Sequence, residues 1–174
     1  GLGDVYKRQV NGKVIHRDWD YLQYFINEAR RLGLKVTVST AMFPSGHPAT
    51  NEGLVYEESR WDGKTCLEYT PDGKMLDIRE DKKKVGAFLN PVRKDVRKFA
   101  LSIVREIVKN YDVDAYALDY CRYPGDDSDF SADSHKAFEH YLGKKVRNFP
   151  DNIFTWNADG TKNPGVYYKE SVSY

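Results

Sequence analysis

The chain has 174 residues, enough for one domain, and its hydrophobic content of 40% indicates a polar surface around a modest core. Lys and Arg total 27 against 26 Asp and Glu, so the net charge of +1 favours neither a nucleic acid nor an anionic membrane as partner. No stretch is long and apolar enough to span a membrane. Cys66 and Cys121 are too few for a disulfide framework and lack the spacing of a metal site, so we expect free thiols and neither a metal nor a cofactor.

Both ends of the chain look non-native. Residues 1–9, G-L-G-D-V-Y-K-R-Q, look like the in-frame translation of a sequencing-library adapter, and residues 172–174 match the opposite adapter over a length that chance can produce. We therefore interpret residues 10–171 as the native part, cut from a longer gene. The lack of a signal peptide then carries no information about location.

A helix followed by a strand is predicted near the start of the chain. Asp18 is the expected N-cap, and Gly33 is expected to end the helix. Apolar residues at three-and-four spacing predict its buried positions, namely Trp19, Leu22, Phe25, Ile26, Ala29 and Leu32. The alternating run L-K-V-T-V-S-T-A at residues 34–41 predicts a strand, and the Pro- and Gly-rich loop after it carries His47.

A polar excursion and a long helix are predicted next. Residues 65–69 and 75–78 are short extended pieces joined by T-P-D-G-K, which predicts a hairpin, whereas the charged run at residues 80–84 is interpreted as solvated surface. The longest helix is expected to start at Pro91. Its predicted buried stripe is Val92, Val96, Phe99, Ile103, Ile107 and Tyr111.

The stretch Y-D-V-D-A-Y-A-L-D-Y-C-R-Y-P at residues 111–124 is the centre of the chain. Its apolar part, residues 115–118, is too short for a helix and predicts a buried strand. Asp119, Arg122 and Tyr123 come where that strand ends, and ligands bind at the carboxyl ends of parallel strands in α/β folds. The strand is expected to pair in parallel with the strand at residues 34–41, with Val36, Val38, Tyr116 and Leu118 facing inward.

Two acidic residues precede this strand, and an acidic loop follows it. Asp112 and Asp114 are expected at the opposite face, where such residues serve turns. The run at residues 126–129 lacks the glycine and spacing of a calcium loop, so caps and solvated loop are expected there. Asp129 or Ser131 is expected to cap the next helix, over residues 131–146.

Several stretches in this order resemble the family-ten-like bacterial glycoside hydrolases. They are R-L-G-L-K-V-T-V-S at residues 31–39, F-L-N-P-V-R-K-D-V-R at 88–97, I-V-K-N-Y-D-V-D-A-Y-A-L-D-Y-C-R-Y-P at 107–124, and the tail from residue 130 to 156. The resemblance implies a (β/α)₈ TIM barrel with a sugar-binding cleft at the carboxyl ends of its strands. This chain would hold only the middle βα units, a partial barrel of α/β class. A periplasmic, extracellular or lipoprotein location is also in keeping with the resemblance.

The resemblance carries roles onto particular residues. Asp119 falls where the family has a strand-end carboxylate, and Arg122 and Tyr123 match the R-Y that follows it. Two positions differ, because Ala115 stands where relatives commonly have Gly and Tyr120 where some have a second Asp. The second difference leaves open whether Asp119 acts alone.

The expected function is hydrolysis of O-glycosidic bonds in an oligo- or polysaccharide. Such cleavage uses two carboxyl groups, and Asp119 is the candidate nucleophile or base. Arg122, Tyr123, His47 and Asn90 are candidates for substrate binding, although Asn90 before a proline can equally be a helix cap. The general acid is expected on a later strand, so this chain alone should be inactive. The alternative function is a non-catalytic carbohydrate-binding barrel. Sugar, linkage and stereochemical course stay open.

Overall fold

The computed structural model describes residues 9–10, 13–14 and 20–174 of the chain. Contacts divide the chain into unit 1, Gly1–Met42 with Arg97–Cys121, and unit 2, Phe43–Val96 with Arg122–Tyr174. In chain order the elements are β1 Gln9–Val10, β2 Lys13–Val14, α1 Tyr21–Arg31, β3 Thr37–Ala41, α2 Leu54–Glu57, a 3₁₀ turn Ser59–Trp61, β4 Leu67–Tyr69, β5 Met75–Asp77, α3 Lys94–Asn110, β6 Ala115–Asp119, α4 Ala132–Leu142, β7 Phe154–Trp156, β8 Lys162–Pro164 and α5 Tyr168–Ser173. Nearly all of the predicted adapter at residues 1–9 therefore lies outside the described residues.

Helix α1 starts later than expected. Its N-cap is Asp20, whose Oδ1 accepts the Gln23 amide at 3.0 Å, whereas the predicted cap Asp18 lies outside the described residues. The predicted end is confirmed, because Gly33 has a φ of +71° and its amide donates to the Arg30 carbonyl at 2.9 Å. The next amide, that of Leu34, closes the turn on Ala29, which is the Schellman arrangement.

The parallel pair of β3 and β6 organises unit 1. The predicted parallel pairing is confirmed, with Val38 opposite Tyr116 and Ala41 opposite Asp119. Because side chains alternate along a strand, Val38 and Tyr116 share one face, and both pack on a core formed by Ile26, Ala29, Val36, Ile107 and Tyr111. The larger strand residues thus face the helices, so the prediction that they point inward is wrong.

The two helices of unit 1 cover only part of the apolar surface that was predicted to be buried. Ile26 and Ala29 of α1 are buried, but Phe25 and Leu32 are 61% and 63% exposed, and Trp19 lies outside the described residues. A sheet of two strands is too narrow to cover the whole apolar arc of a helix. Leu118 of β6 is also exposed.

Unit 2 contains the predicted hairpin and an aromatic core. Strands β4 and β5 pair antiparallel, as the T-P-D-G-K turn predicts, and β7 and β8 form a second antiparallel hairpin. Helix α4 is capped by Ser131 and ends at Gly143, shorter than predicted. The aromatic core of unit 2 consists of Tyr69, Phe130, Phe138, Val146, Ile153 and Phe154.

One lysine of the charged run contradicts the surface interpretation. Lys84 lies 2.5 Å from Oε1 of Glu68 and 3.1 Å from Oδ2 of Asp127, and only 24% of its side chain is exposed. Glu68 is itself buried, which raises the pKa of its carboxyl, although the contact with Lys84 opposes that shift. Lys84 therefore holds two carboxylates together inside unit 2.

The described residues thus form a mixed α/β structure with four two-stranded sheets. Among these residues, no helix combines the length and apolarity that crossing a membrane requires. No group of three or more His, Cys, Asp or Glu suited to a metal occurs in the same part of the chain. Both cysteines are free thiols, Cys66 buried and Cys121 exposed.

Candidate functional site

Asp119 is the last residue of β6, at the carboxyl end of the parallel pair. Its carbonyl accepts the Met42 amide at 2.8 Å, which extends the pairing one step past Ala41. Pleat and register put its side chain on the face of Thr37 and Ser39, opposite the face that packs on the helices. The side chain is exposed, and its Oδ1 accepts the Tyr120 amide at 2.9 Å. A carboxylate is thus held at an open strand end.

Tyr120, directly after Asp119, has an unusual backbone conformation. Its φ is +46°, in the left-handed region that bulky residues rarely adopt and that Asn and Asp tolerate better. Such strained residues concentrate at binding and catalytic sites, where the surrounding structure enforces them. The conformation supports a functional strand end without depending on which side chain follows Asp119.

The opposite end of the pair carries the structural acids that the sequence predicts. Asp114 accepts the Val36 amide at 2.7 Å and lies 2.7 Å from Nη1 of Arg30. These two partners lower the pKa of the Asp114 carboxyl, and the backbone hydrogen bond from Val36 has the larger effect. Asp112 lies 3.4 Å from the same guanidinium, but its side chain is 83% exposed. Both residues serve the turn into β6.

We therefore expect Asp114→Asn to lower the melting temperature at pH 7. A carboxyl whose pKa is lowered by folding stabilises the folded state above its ordinary value of 3.8, and the effect is lost as the pH falls through the lower folded value. The difference in melting temperature between variant and parent should shrink on acidification below about pH 4. Asp112→Asn is the matched control and should change little at either pH, whereas equal effects of the two substitutions would contradict the assignment.

Arg122 and Tyr123 begin the part of unit 2 that follows β6. Nη1 of Arg122 donates to the carbonyls of Tyr123 and Pro124 at 2.9 and 3.2 Å, which shapes the loop after the strand. Tyr123 is half-buried beside Ser134, and burial, with the charge of Asp129 added, raises its pKa to about 12. Tyr123 therefore keeps its phenol proton at neutral pH and can donate a hydrogen bond.

Asn90 lies in the interior of unit 2, with 1% of its surface exposed. Its amide nitrogen donates to Oδ2 of Asp129 at 2.6 Å and to the Ser131 hydroxyl at 3.0 Å, and its carbonyl oxygen accepts the Val92 amide at 3.0 Å. The contact with Val92 closes a turn before α3, which starts at Lys94 and not at Pro91 as predicted, so Asn90 is not the N-cap of this helix. A ligand would not reach a side chain buried to this extent, so we expect Asn90 to position the residues around it.

Asp129 is the half-buried carboxylate that joins these residues. Its Oδ1 accepts the Leu67 amide at 2.6 Å, and its Oδ2 accepts Asn90 together with the hydroxyls of Ser131 and Ser134 at 2.5 and 2.6 Å. We call Asn90, Asp129, Ser131 and Ser134 the Asp129 network. The sequence predicted only a cap or solvated loop here. The signal that was missed is an Asp two residues before a Ser N-cap.

His47 is exposed in the loop after β3. Its Nδ1 lies 3.3 Å from the Thr50 hydroxyl, and its backbone amide donates to the Glu52 carbonyl at 2.8 Å. These contacts hold the loop and leave the imidazole at the surface. His47 shares unit 2 with Arg122 and Tyr123 but does not line the cavity that those two residues line.

A cavity of about 430 Å³ lies within unit 2. Its walls combine aromatic side chains with a few polar ones, among them Arg122, Tyr123 and two members of the Asp129 network. The aromatic residues that line it include Phe130, Phe138, Phe149, Phe154 and Tyr168. Small-molecule sites commonly have this composition and a volume of about 300 to 1,000 Å³. Arg122 and Tyr123, predicted together as substrate-binding residues, thus line one cavity.

Comparisons with known proteins identify the family. The model of the glycosyl hydrolase-like 10 family matches residues 6–164, starting inside the stretch that we interpret as an adapter. An S-layer-related protein of Niallia circulans is 37% identical over 150 residues, which cover 83% of this chain but 9% of that protein. No solved structure matches the chain significantly. The chain therefore belongs to the glycosyl hydrolase-like 10 family, as its sequence motifs suggest.

Proposed function

We propose that the chain forms the middle of a (β/α)₈ barrel in an enzyme that hydrolyses O-glycosidic bonds of an oligo- or polysaccharide. The supporting observation is the register of β3 and β6, which leaves Asp119 at the carboxyl end of a parallel pair. Helices cover one face of this pair, while Thr37, Ser39 and Ala117 on the other face are small and exposed. A parallel pair covered by helices on one face is the repeating unit of such a barrel, and its catalytic residues lie at the carboxyl ends of strands.

Asp119 acts in this proposal as the ionised carboxylate of a two-carboxyl mechanism. It either attacks the anomeric carbon or removes a proton from the attacking water, while a second carboxyl group protonates the leaving oxygen. We place the second group on a strand outside this chain. The exposed side chain of Asp119 and the left-handed Tyr120 after it support the assignment.

Arg122, Tyr123 and His47 are the proposed substrate-binding residues. A guanidinium, a protonated phenol and an imidazole can each hydrogen-bond sugar hydroxyls. Asn90, in contrast, is proposed to position rather than to touch the substrate, because its polar atoms are engaged inside unit 2. Through Asp129 and Ser134 it supports the wall in which Tyr123 lies.

The second candidate function is carbohydrate binding without catalysis. It is favoured by the name of the Niallia circulans relative, which is S-layer-related and describes no enzymatic activity. In that case Asp119 and the cavity residues would hold a glycan with no acid and base pair around it. The two candidates share a ligand class and differ in whether a bond is broken.

Release of new reducing ends separates the two candidates. The longer protein that contains this chain would be incubated with a panel of polysaccharides, and its Asp119→Asn variant would serve as the inactive control. We expect the parent to release reducing sugar from at least one substrate, and the chain of residues 10–171 alone to release none. Binding of a polysaccharide by the parent without any release would favour the binding protein instead.

A further inference from the structure

The cavity in unit 2 has properties that the proposed role of Asp119 does not explain. Every residue that lines it belongs to unit 2, and several of them are members of the aromatic core. Of its aromatic lining residues, Phe130, Phe138 and Phe154 are buried, whereas Phe149 and Tyr168 are half-buried. Val172 and Tyr174 also line the cavity, but they fall within the adapter-like residues 172–174 and carry no part of the proposal.

The polar groups of the cavity are arranged to donate and accept hydrogen bonds. The Tyr123 phenol lies beside Ser134, whose own hydroxyl proton is directed to Oδ2 of Asp129 at 2.6 Å. Ser128 also lines the cavity, and within the part of the chain that the structure describes its buried hydroxyl has no hydrogen-bond partner. A buried hydroxyl without a partner is costly, so a ligand hydroxyl that reached Ser128 would satisfy it.

The charges around the cavity are balanced. Arg122, Asp126 and Asp129 are its charged lining residues. Asp126 lies 2.6 Å from Nζ of Lys162, and Asp129 accepts hydrogen bonds from four donors. Together with Lys162, which pairs with Asp126, the charged groups at the cavity are two positive and two negative. Because the positive and negative charges cancel, the cavity offers a charged ligand no net opposite charge to offset the hydration that it would lose.

We infer that this cavity binds one ring of an uncharged sugar, as a subsite for the glycan on which the protein acts; the inference rests on the proposed function. Aromatic walls pack against the apolar C–H faces of a sugar ring, while Tyr123 and Ser128 meet its hydroxyl groups. The charge balance selects neutral sugars over uronic acids and sulfated sugars. This adds a substrate class, neutral glycans, which the position of Asp119 does not define.

The inference is tested by binding in the Asp119→Asn background of the longer protein, where hydrolysis cannot interfere. The probes are cello-, xylo-, malto- and laminari-oligosaccharides as neutral sugars and oligogalacturonate as the acidic one, measured by isothermal titration calorimetry. We expect at least one neutral probe to bind and oligogalacturonate not to bind. Tyr123→Phe removes one neutral hydrogen bond and keeps the ring, so it should weaken binding by about 2- to 10-fold.

A second variant and a control complete the test. Phe149→Ala removes an aromatic side chain from the cavity wall and should weaken binding by about 10-fold or more. If Phe149→Ala does not fold, the binding measured for Tyr123→Phe still tests the inference. Tyr141→Phe, on the exposed side of α4, is the matched control and should bind like the parent. Preference for oligogalacturonate, failure of every neutral probe, or equal effects of Tyr123→Phe and Tyr141→Phe would overturn the inference.

The same variants distinguish this inference from the proposed function. If the parent hydrolyses a neutral glycan while Tyr123→Phe and Phe149→Ala leave KM unchanged, the enzyme stands and the subsite is wrong. If neutral sugars bind, and the two variants weaken that binding without any hydrolysis by the parent, the subsite stands and the catalytic proposal is wrong.

Discussion

Asp119→Asn in the longer protein is expected to lower turnover about 10²- to 10⁴-fold, the usual contribution of an acid or base that takes part in the reaction. Asn cannot act as nucleophile or base at the anomeric carbon. Its side-chain oxygen can still accept the Tyr120 amide, which Oδ1 of Asp119 does at 2.9 Å. The melting temperature should therefore stay close to that of the parent, which separates lost chemistry from lost folding.

The matched control for this prediction is Asp112→Asn. Asp112 lies at the other end of β6, with its side chain exposed to solvent, so turnover should be retained. An Asp119→Asn enzyme with nearly full turnover on its glycan would show that Asp119 is structural. The non-catalytic binding protein would then become the better account.

Asp129→Ala is expected to have the largest effect on stability, because four donors would lose one acceptor. The Leu67 amide, the Asn90 amide and the Ser131 and Ser134 hydroxyls all converge on this carboxylate. Some of these donors can hydrogen-bond to water instead, so we expect the free energy of unfolding to fall by about 2 to 4 kcal/mol. Asp129→Asn should also destabilise unit 2. Both oxygens of Asp129 accept hydrogen bonds, so the NH₂ group of the asparagine would face a donor whichever oxygen it replaced.

Amide hydrogen exchange reads this effect at a defined position. The Leu67 amide donates directly to Asp129, so protection of the peptide that contains β4 should fall in both Asp129 variants. Glu170→Gln, which changes an exposed carboxylate of the same unit, is the control and should leave that protection unchanged. Unaltered exchange at Leu67 in Asp129→Ala would contradict a structural role for the Asp129 network.

Local patterns were sufficient for the elements that carry the candidate site. The β-branched alternation before Ala41 and the apolar run before Asp119 predicted two strands, and the order of helix and strand predicted their parallel pairing. The T-P-D-G-K turn likewise predicted the hairpin of β4 and β5. For each strand and for the hairpin the signal lies within about ten residues, where periodicity and turn chemistry are informative.

Long-range contacts account for what was missed. Asp129 meets a backbone amide 62 residues away and an asparagine 39 residues away, and no local pattern reports such partners. Lys84 sits in a charged run that is typical of surface, yet its two carboxylate partners hold it inside unit 2. The cap of α1 moved two residues, to Asp20, because both acids precede the same apolar stripe.

The central claim, that Asp119 supplies the reacting carboxylate, is tested most directly by chemical rescue. Asp119→Ala in the longer protein removes the carboxylate and leaves space beside the anomeric carbon, and azide is a small anion that can take its place. Turnover of Asp119→Ala on the glycan would be measured with and without azide. The account predicts very low turnover without azide and a several-fold increase with it; wild-type turnover of Asp119→Ala in the absence of azide would contradict it.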